Sequence, residues 1–360
     1  MASVQDFIPQ PYTATIDKGS FTWSAPSNIA LVKYWGKKAN QIPANPSISF
    51  TLSDCKTITT LSFEKKESSD AFSFDLLFEG RPKESFRPKI ENFFERVVQY
   101  LPFLKQYHFT IDTQNTFPHS SGIASSASGM AALALNLMSL ELVLNPGMTD
   151  DHFYQKASFL ARLGSGSACR SVKGSVVIWG SHEVTTKSTD LYGIPNNNVH
   201  YIFTTYQDTI LLVDKGEKQV SSTVGHDLMH GHPFAQQRFA QAHENLTAIK
   251  KALAEGDVET FIKITESEAL TLHAMMMTSM PYFILMKPDT LQIINKIWQY
   301  RAETSVPVCF TLDAGANVHV LYPANESSKV LAFIKAELLG YCQNNQYICD
   351  KIGTGAQLID

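Results

Sequence analysis

The sequence predicts an α+β fold, and three of its features carry that prediction. The first third is a series of short segments rich in β-branched and aromatic residues, separated by Gly, Pro, Asn and Asp. A stretch of small residues then runs straight into MAALALNLMSLELVL, which is apolar on every side, as a helix buried in a core is. Past a soft boundary near residues 195 to 215, long segments with helical spacing dominate, followed by one more pair of strand-like segments.

Taken in order, MASVQDFIPQPYTATIDKG has no basic region followed by an apolar run. It therefore reads as an extension laid over the domain and not as a secretory signal. The strands expected next are SFTWSAPSNIALVKYW, NPSISFTLS, KTITTLSF, AFSFDLLFEG and YHFTIDTQN. Between the fourth and fifth, Ile90, Phe93, Phe94, Val97, Val98 and Leu101 recur at helical spacing and predict a helix over 88–101. After the apolar helix, DDHFYQKASFLARLG predicts another that stops at Gly164, and SGSACRSVKG leads into the strand SVVIWG. HYIFTTY and TILLVD read as two further strands. PFAQQRFAQAHENLTAIKKALAEG sets Phe239, Ala242, Leu246, Ile249 and Leu253 on one helix face, and DVETFIKITESEALTLHAMMM and DTLQIINKIWQYRA continue that pattern. PVCFTLDAG and NVHVLYP form a strand pair around Asp313, and a helix and a short strand close the chain.

The 360 residues are 44% hydrophobic and 18% charged, which excludes disordered, collagen-like and coiled-coil classes. Thirty basic residues nearly balance 34 acidic ones, with no long run of Lys and Arg, so no nucleic-acid partner is expected. No stretch approaches the roughly 20 uninterrupted apolar residues of a membrane helix. Five cysteines without a CxxC pair read as reduced thiols of a cytoplasmic protein.

PHSSGIASSASG lacks the GxxxxGK[ST] pattern of a Walker A loop, yet its physics suits phosphate. Gly122 permits positive φ, Ser125 and Ser126 offer hydroxyls, and a helix starting here points its free N–H groups into the loop. The same small residues would equally let the helix pack closely on a sheet. Three charged residues stand out. Lys33 lies within the apolar strand SNIALVKYWGK and must reach solvent or pair with an anion. Arg170 follows the small residues of SGSAC, and Asp313 follows an apolar strand and precedes AlaGly, where a side chain can stand at a cleft. Each alone is compatible with a structural ion pair; together with the loop they suggest a site that gathers anions. GHDLMHGH spaces His226 and His230 four apart, but Asp227 stands where the zinc motif HExxH has Glu, and Gly225 and Gly231 frame a loop. Surface histidines are the default reading there.

In this order, SAPSNIALVKYWGK, PHSSGIASSASG, LGSGSACRSVKG and FTLDAGANVHVLY resemble the diphosphomevalonate decarboxylases of the GHMP kinase superfamily, from about Ser24 onward, with VSST at 220–223 and KIGTGAQ near the end. The resemblance implies a two-lobed fold: an extension over 1–20, a nucleotide-binding lobe like ribosomal protein S5 domain 2 over 21–205, and a ferredoxin-like lobe over 206–360. It also implies a homodimer, ATP with Mg2+, and conversion of mevalonate 5-diphosphate to isopentenyl diphosphate, ADP, phosphate and carbon dioxide. By resemblance, Gly122, Ala124, Ser125 and Ser126 belong to the ATP phosphate loop. Asp313 stands by the 3-hydroxyl as its base or orienting group, Lys33 beside Asp313 and the transferring phosphoryl group, and Arg170 at the substrate carboxylate. Tyr34, Lys37, Ser165 and Ser167 match contacts to the diphosphate, and Ser222 and Thr223 line the same site. Cations beside a carboxylate make it a weak base, so Asp313 is expected to orient the hydroxyl and take its proton late.

Some positions depart from the family pattern: His119, Ser120 and Ser121 replace Thr-Ala-Ala, His226 stands in place of Met, Ala316 in place of Pro, and Ser175 in place of Gly. None of these removes a charged group from the expected chemistry. The alternatives are a decarboxylase or 3-kinase acting on mevalonate 5-phosphate and, more remotely, a non-catalytic sensor of the same fold.

Overall fold

A computed structural model describes residues 2–68, 70–118, 123–214 and 222–359, without the side chains of Ser222 and Thr223. The first sheet is built from β1 (Lys18–Val32), β2 (Ser47–Lys65), β3 (Ser73–Phe78), β4 (Arg81–Pro82) and, after α1 (Arg87–Val97), β5 (Tyr107–Asn115). Its order is β1-β2-β5-β3-β4, antiparallel except for β3 on β5. NPSISFTLS and KTITTLSF, expected as two strands, are one long β2. The break between them is absorbed by a slip of register against β1 between Pro26 and Asn28, so no turn forms.

Strand β2 alternates buried and half-exposed residues from Cys55 to Phe63, and its buried face packs under α2 (Ser125–Leu144). The apolar helix thus lies where its composition placed it. By length and composition it would also pass for a membrane span, but 83% of that window is buried inside the protein. Polar anchors fix its register. Thr57 and Ser128 share a hydrogen bond of 2.6 Å, Asn136 Nδ2 donates to the Thr59 carbonyl, and Trp23 Nε1 donates to Ser139 Oγ. A helix pinned in this way holds its N-terminus at a fixed place. Helix α3 (Asp150–Gly164) packs beside it, capped by Thr149, and a tight turn, Gly166–Ser171, leads to β6 (Val176–Trp179), which pairs with the first residues of β2, and to β7 (Ile194–Pro195) beside it.

HYIFTTY is not a strand. Tyr201–Thr204 is a single helical turn, α4, capped by His200; Phe203 is its buried residue, against Tyr206 and Phe261, while Tyr201 is exposed. The second sheet, β8 (Gln207–Leu211), β9 (Cys309–Thr311), β10 (Val318–Tyr322) and β11 (Tyr347–Lys351), has the antiparallel order β11-β8-β10-β9. Around it lie α5 (Ser222–Asp227), α6 (Ala235–Glu255), α7 (Val258–Met277), α8 (Pro288–Thr304) and α9 (Ser327–Phe333). The face expected for α6 is the buried one at Ala242, Leu246, Ile249 and Leu253.

The two sheets are tied together. The Asp350 carboxylate accepts three backbone N–H groups of β2, from Ser53, Asp54 and Cys55, and β12 (Gln357–Leu358) returns to pair with β1. The N-terminal extension is anchored too: Ser3 caps the turn Val4–Phe7, and the Phe7 ring stacks on Phe159 at 4.4 Å.

Candidate active site

Every candidate side chain that the structure describes lines one cleft of about 600 Å³ where the two sheet layers meet. These are Lys33, Tyr34, Lys37, Ala124, Ser125, Ser126, Ser165, Ser167, Arg170 and Asp313. Gly122 and the side chains of Ser222 and Thr223 lie outside the described residues.

Lys33 sits one residue past the end of β1, and not inside the strand as its sequence context suggested. Its Nζ is 3.0 Å from Asp313 Oδ1, with the lysine side chain 2% exposed and the aspartate 31%. The ammonium is therefore buried behind a carboxylate that reaches the cleft. Burial pushes the Lys33 pKa down, opposed by Asp313 and Glu268. Its backbone is held on both sides: the N–H donates to Glu268 Oε2, and the carbonyl accepts from Asn45 Nδ2 and Arg238 Nη2. Asp313 follows β9 in the loop to β10, and its carbonyl accepts from His273 Nε2 at 3.1 Å.

Arg170 is 2% exposed and braced by neutral groups only. Its Nη1 donates to Ser47 Oγ (2.6 Å), Nε to Ser49 Oγ (3.1 Å) and Nη2 to Asn28 Oδ1 (3.2 Å). No carboxylate among the described residues forms an ion pair with it, and two of its five N–H groups are left for a ligand. A buried cation with no carboxylate bonded to it, on which Asp313 acts only through space, is a prepared anion site.

Positive φ falls on Ala124 (43°), the N-cap of α2, which makes no side-chain capping bond. The first N–H groups of a 20-residue helix are thus directed at the cleft without a capping side chain, beside the hydroxyls of Ser125 and Ser126. Two lining residues were not among the site residues expected from the sequence. Lys89, on the first turn of α1, reaches Ser126 Oγ at 2.5 Å, and nothing local marks it among the other surface lysines. His226 belongs to α5, not to a loop, and with His232 it is buried, which corrects the expectation of surface histidines at those positions, while His230 is exposed as expected. No cluster of three metal-type ligands exists among the described residues.

Burial pushes the His226 pKa down from 6.5 to about 3, with Lys37 and Arg170 adding to the effect. Burial likewise brings His273 down to about 4. Both rings are neutral in the fold. In the unfolded chain each takes up a proton below about 6.5. The unfolded state then binds more protons, so stability is full above that pH and falls with acid toward the folded values. His226→Asn is expected to lose about 2 kcal/mol less than the wild type between pH 7 and pH 5, read from urea titrations. An unchanged pH slope would show that the ring takes up its proton inside the fold.

Residues 25–190 match the family model of the diphosphomevalonate decarboxylase-like N-terminal domain, and residues 209–356 that of the mevalonate 5-diphosphate decarboxylase C-terminal domain. The diphosphomevalonate decarboxylase of Saccharomyces cerevisiae is 31% identical over 349 residues, 90% of this chain and 81% of that relative. That of Aspergillus fumigatus is 30% identical over 348 residues, covering 90% and 82%. Among solved structures, mevalonate diphosphate decarboxylase from Staphylococcus aureus superposes with a TM-score of 0.81 at 28% identity, covering 95% of this chain and 98% of that one. MDDEF in complex with MVAPP, AMPPCP and magnesium gives a TM-score of 0.79 at 29% identity, covering 95% and 99%.

Proposed function

The chain belongs to the diphosphomevalonate decarboxylase family, and from that membership we propose how its cleft carries out the ATP-dependent decarboxylation of mevalonate 5-diphosphate to isopentenyl diphosphate. The observation that carries the reading is one juxtaposition. Buried Lys33 holds a partly exposed Asp313 in the same cleft as Arg170, which has no directly paired carboxylate among the described residues, and the N-terminus of α2. A nucleotide phosphate, a diphosphate and a carboxylate each find a donor set there.

Hydroxide is a poor leaving group, so the tertiary 3-hydroxyl must first become a phosphate ester. Asp313 orients that hydroxyl toward the transferring phosphoryl group and takes its proton as the new P–O bond forms. Lys33 offsets the charge that gathers at this point. The C3–O bond then breaks and phosphate departs. The electron pair of the bond to the carboxylate becomes the new C=C bond as carbon dioxide leaves. Arg170 presents its two spare N–H groups to that carboxylate, a bidentate contact that fixes its plane. Ser125, Ser126, Lys89 and the N-terminus of α2 receive the nucleotide phosphates. The donor set suits magnesium: hydroxyls and one carboxylate, with no three-ligand cage among the described residues. Such a set fits an ion that arrives on the nucleotide, where it supplies charge neutralisation to the phosphates. A homodimer and a cytoplasmic location complete the proposal.

Purified protein given Mg-ATP and mevalonate 5-diphosphate is expected to release ADP and carbon dioxide in equal amounts, with little turnover of mevalonate 5-phosphate. ADP without carbon dioxide would mean a 3-kinase. Turnover of the monophosphate alone would move the enzyme to that substrate, and silence with both would favour a sensor.

A further inference from the structure

His226 has a half-used hydrogen-bonding ring at the edge of the cleft. The ring lies between Tyr34 and Trp35, with centroids 4.2 and 4.7 Å away, and its Nδ1 accepts from the Gly36 N–H at 3.0 Å. An accepting Nδ1 on a neutral ring puts the proton on Nε2, and burial keeps this ring neutral. Nε2 has no hydrogen-bond partner among the described residues, yet it is not one of the buried atoms left unpaired. It is therefore open to the space that His226 lines, which is the cleft.

The surroundings say what belongs there. Lys37 and Arg170 are both close enough to disfavour protonation of the ring. The Tyr34 hydroxyl, on the ring packed at a tilt against it, is buried without a partner. Two cations and an imidazole N–H face a shared space, and Asp227, on Lys37 at 3.6 Å, is the one carboxylate paired to any of them among the described residues. Such an excess of donors over acceptors fits an anion with several oxygens. We propose that His226 Nε2–H donates to an oxygen of the substrate's 5-diphosphate, making this residue a determinant of diphosphate affinity. This inference rests on the proposed function and adds to it a contact that the family resemblance does not supply.

Two substitutions separate the two ring nitrogens. His226→Asn places an acceptor where Nδ1 is and offers no donor at the Nε2 position; His226→Gln does the reverse. Calorimetric titration with mevalonate 5-diphosphate in the absence of ATP is expected to show His226→Asn binding about ten- to hundredfold more weakly, the range for a lost hydrogen bond to a charged group. His226→Gln is expected to stay within about threefold of the wild type. ATP affinity should be unaffected in both, and thermal melts verify folding. The reverse order, Gln weak and Asn normal, would assign His226 to holding Gly36 and overturn the proposal. Wild-type affinity in both variants would also overturn it while leaving the substrate reading intact. Wild-type protein that fails to bind mevalonate 5-diphosphate would overturn that reading and this inference together.

Discussion

Asp313→Ala is expected to lower turnover by at least ~10²-fold, the lower end for groups that handle a proton in the transition state. The geometry sets the expectation in two ways. The carboxylate that reaches the cleft is lost, so the 3-hydroxyl has neither an orienting acceptor nor a destination for its proton. The Lys33 ammonium, 3.0 Å away and buried, also loses the partner that favours its charged form. Lys33 would then shed its proton at a lower pH and offer less charge to the transferring phosphoryl group. Asp313→Asn keeps a hydrogen-bonding oxygen near Lys33 but takes no proton, so it should be almost as slow while melting closer to the wild type. Steady-state assays that follow ADP and carbon dioxide, with nucleotide affinity measured separately, check both variants. Near-normal turnover in either would remove Asp313 from the mechanism.

Much of this site could be read from the sequence because its pieces are local. The uncapped start of α2 follows from small residues leading into an apolar run, and Arg170 and Asp313 each stand out against apolar or small neighbours. What could not be read is how these pieces are supported. Glu268 reaches the Lys33 N–H across 235 positions of sequence, and in its own segment it is one more acidic residue in an amphipathic helix. Lys89 and His226 enter the cleft through tertiary placement of α1 and α5, and no period or spacing encodes that. The misread segment HYIFTTY fails for a related reason. Aromatic and β-branched residues favour strands only when neighbours cover alternate side chains, and here the fully covered residues, Phe203 and Tyr206, stand three apart, a helical and not an alternating spacing. The split of β2 into two expected strands came from reading polar residues as a turn where the backbone merely slips its register.

The second large effect falls on Arg238, which is outside the sequence-derived candidates altogether. Arg238 and Glu268 have fully buried side chains and are paired through two parallel bonds, 3.0 and 2.5 Å, while Asn245 Nδ2 and the Lys33 N–H complete the carboxylate's partners. Arg238→Met would leave a buried carboxylate without its cation, a change that typically costs about 3–5 kcal/mol; a lowered urea midpoint is the readout. It would also free the Lys33 carbonyl from Arg238 Nη2. The double variant Arg238→Met, Glu268→Leu removes the stranded charge and is expected to regain most of the stability, since apolar replacements of buried pairs are often neutral. Its turnover should stay low, because the Lys33 N–H and carbonyl would each have lost a partner and the ammonium would no longer be fixed against Asp313. Recovery of stability without activity assigns the pair to placing Lys33. Recovery of both would show that packing alone holds Lys33 in position and that the charges serve stability only.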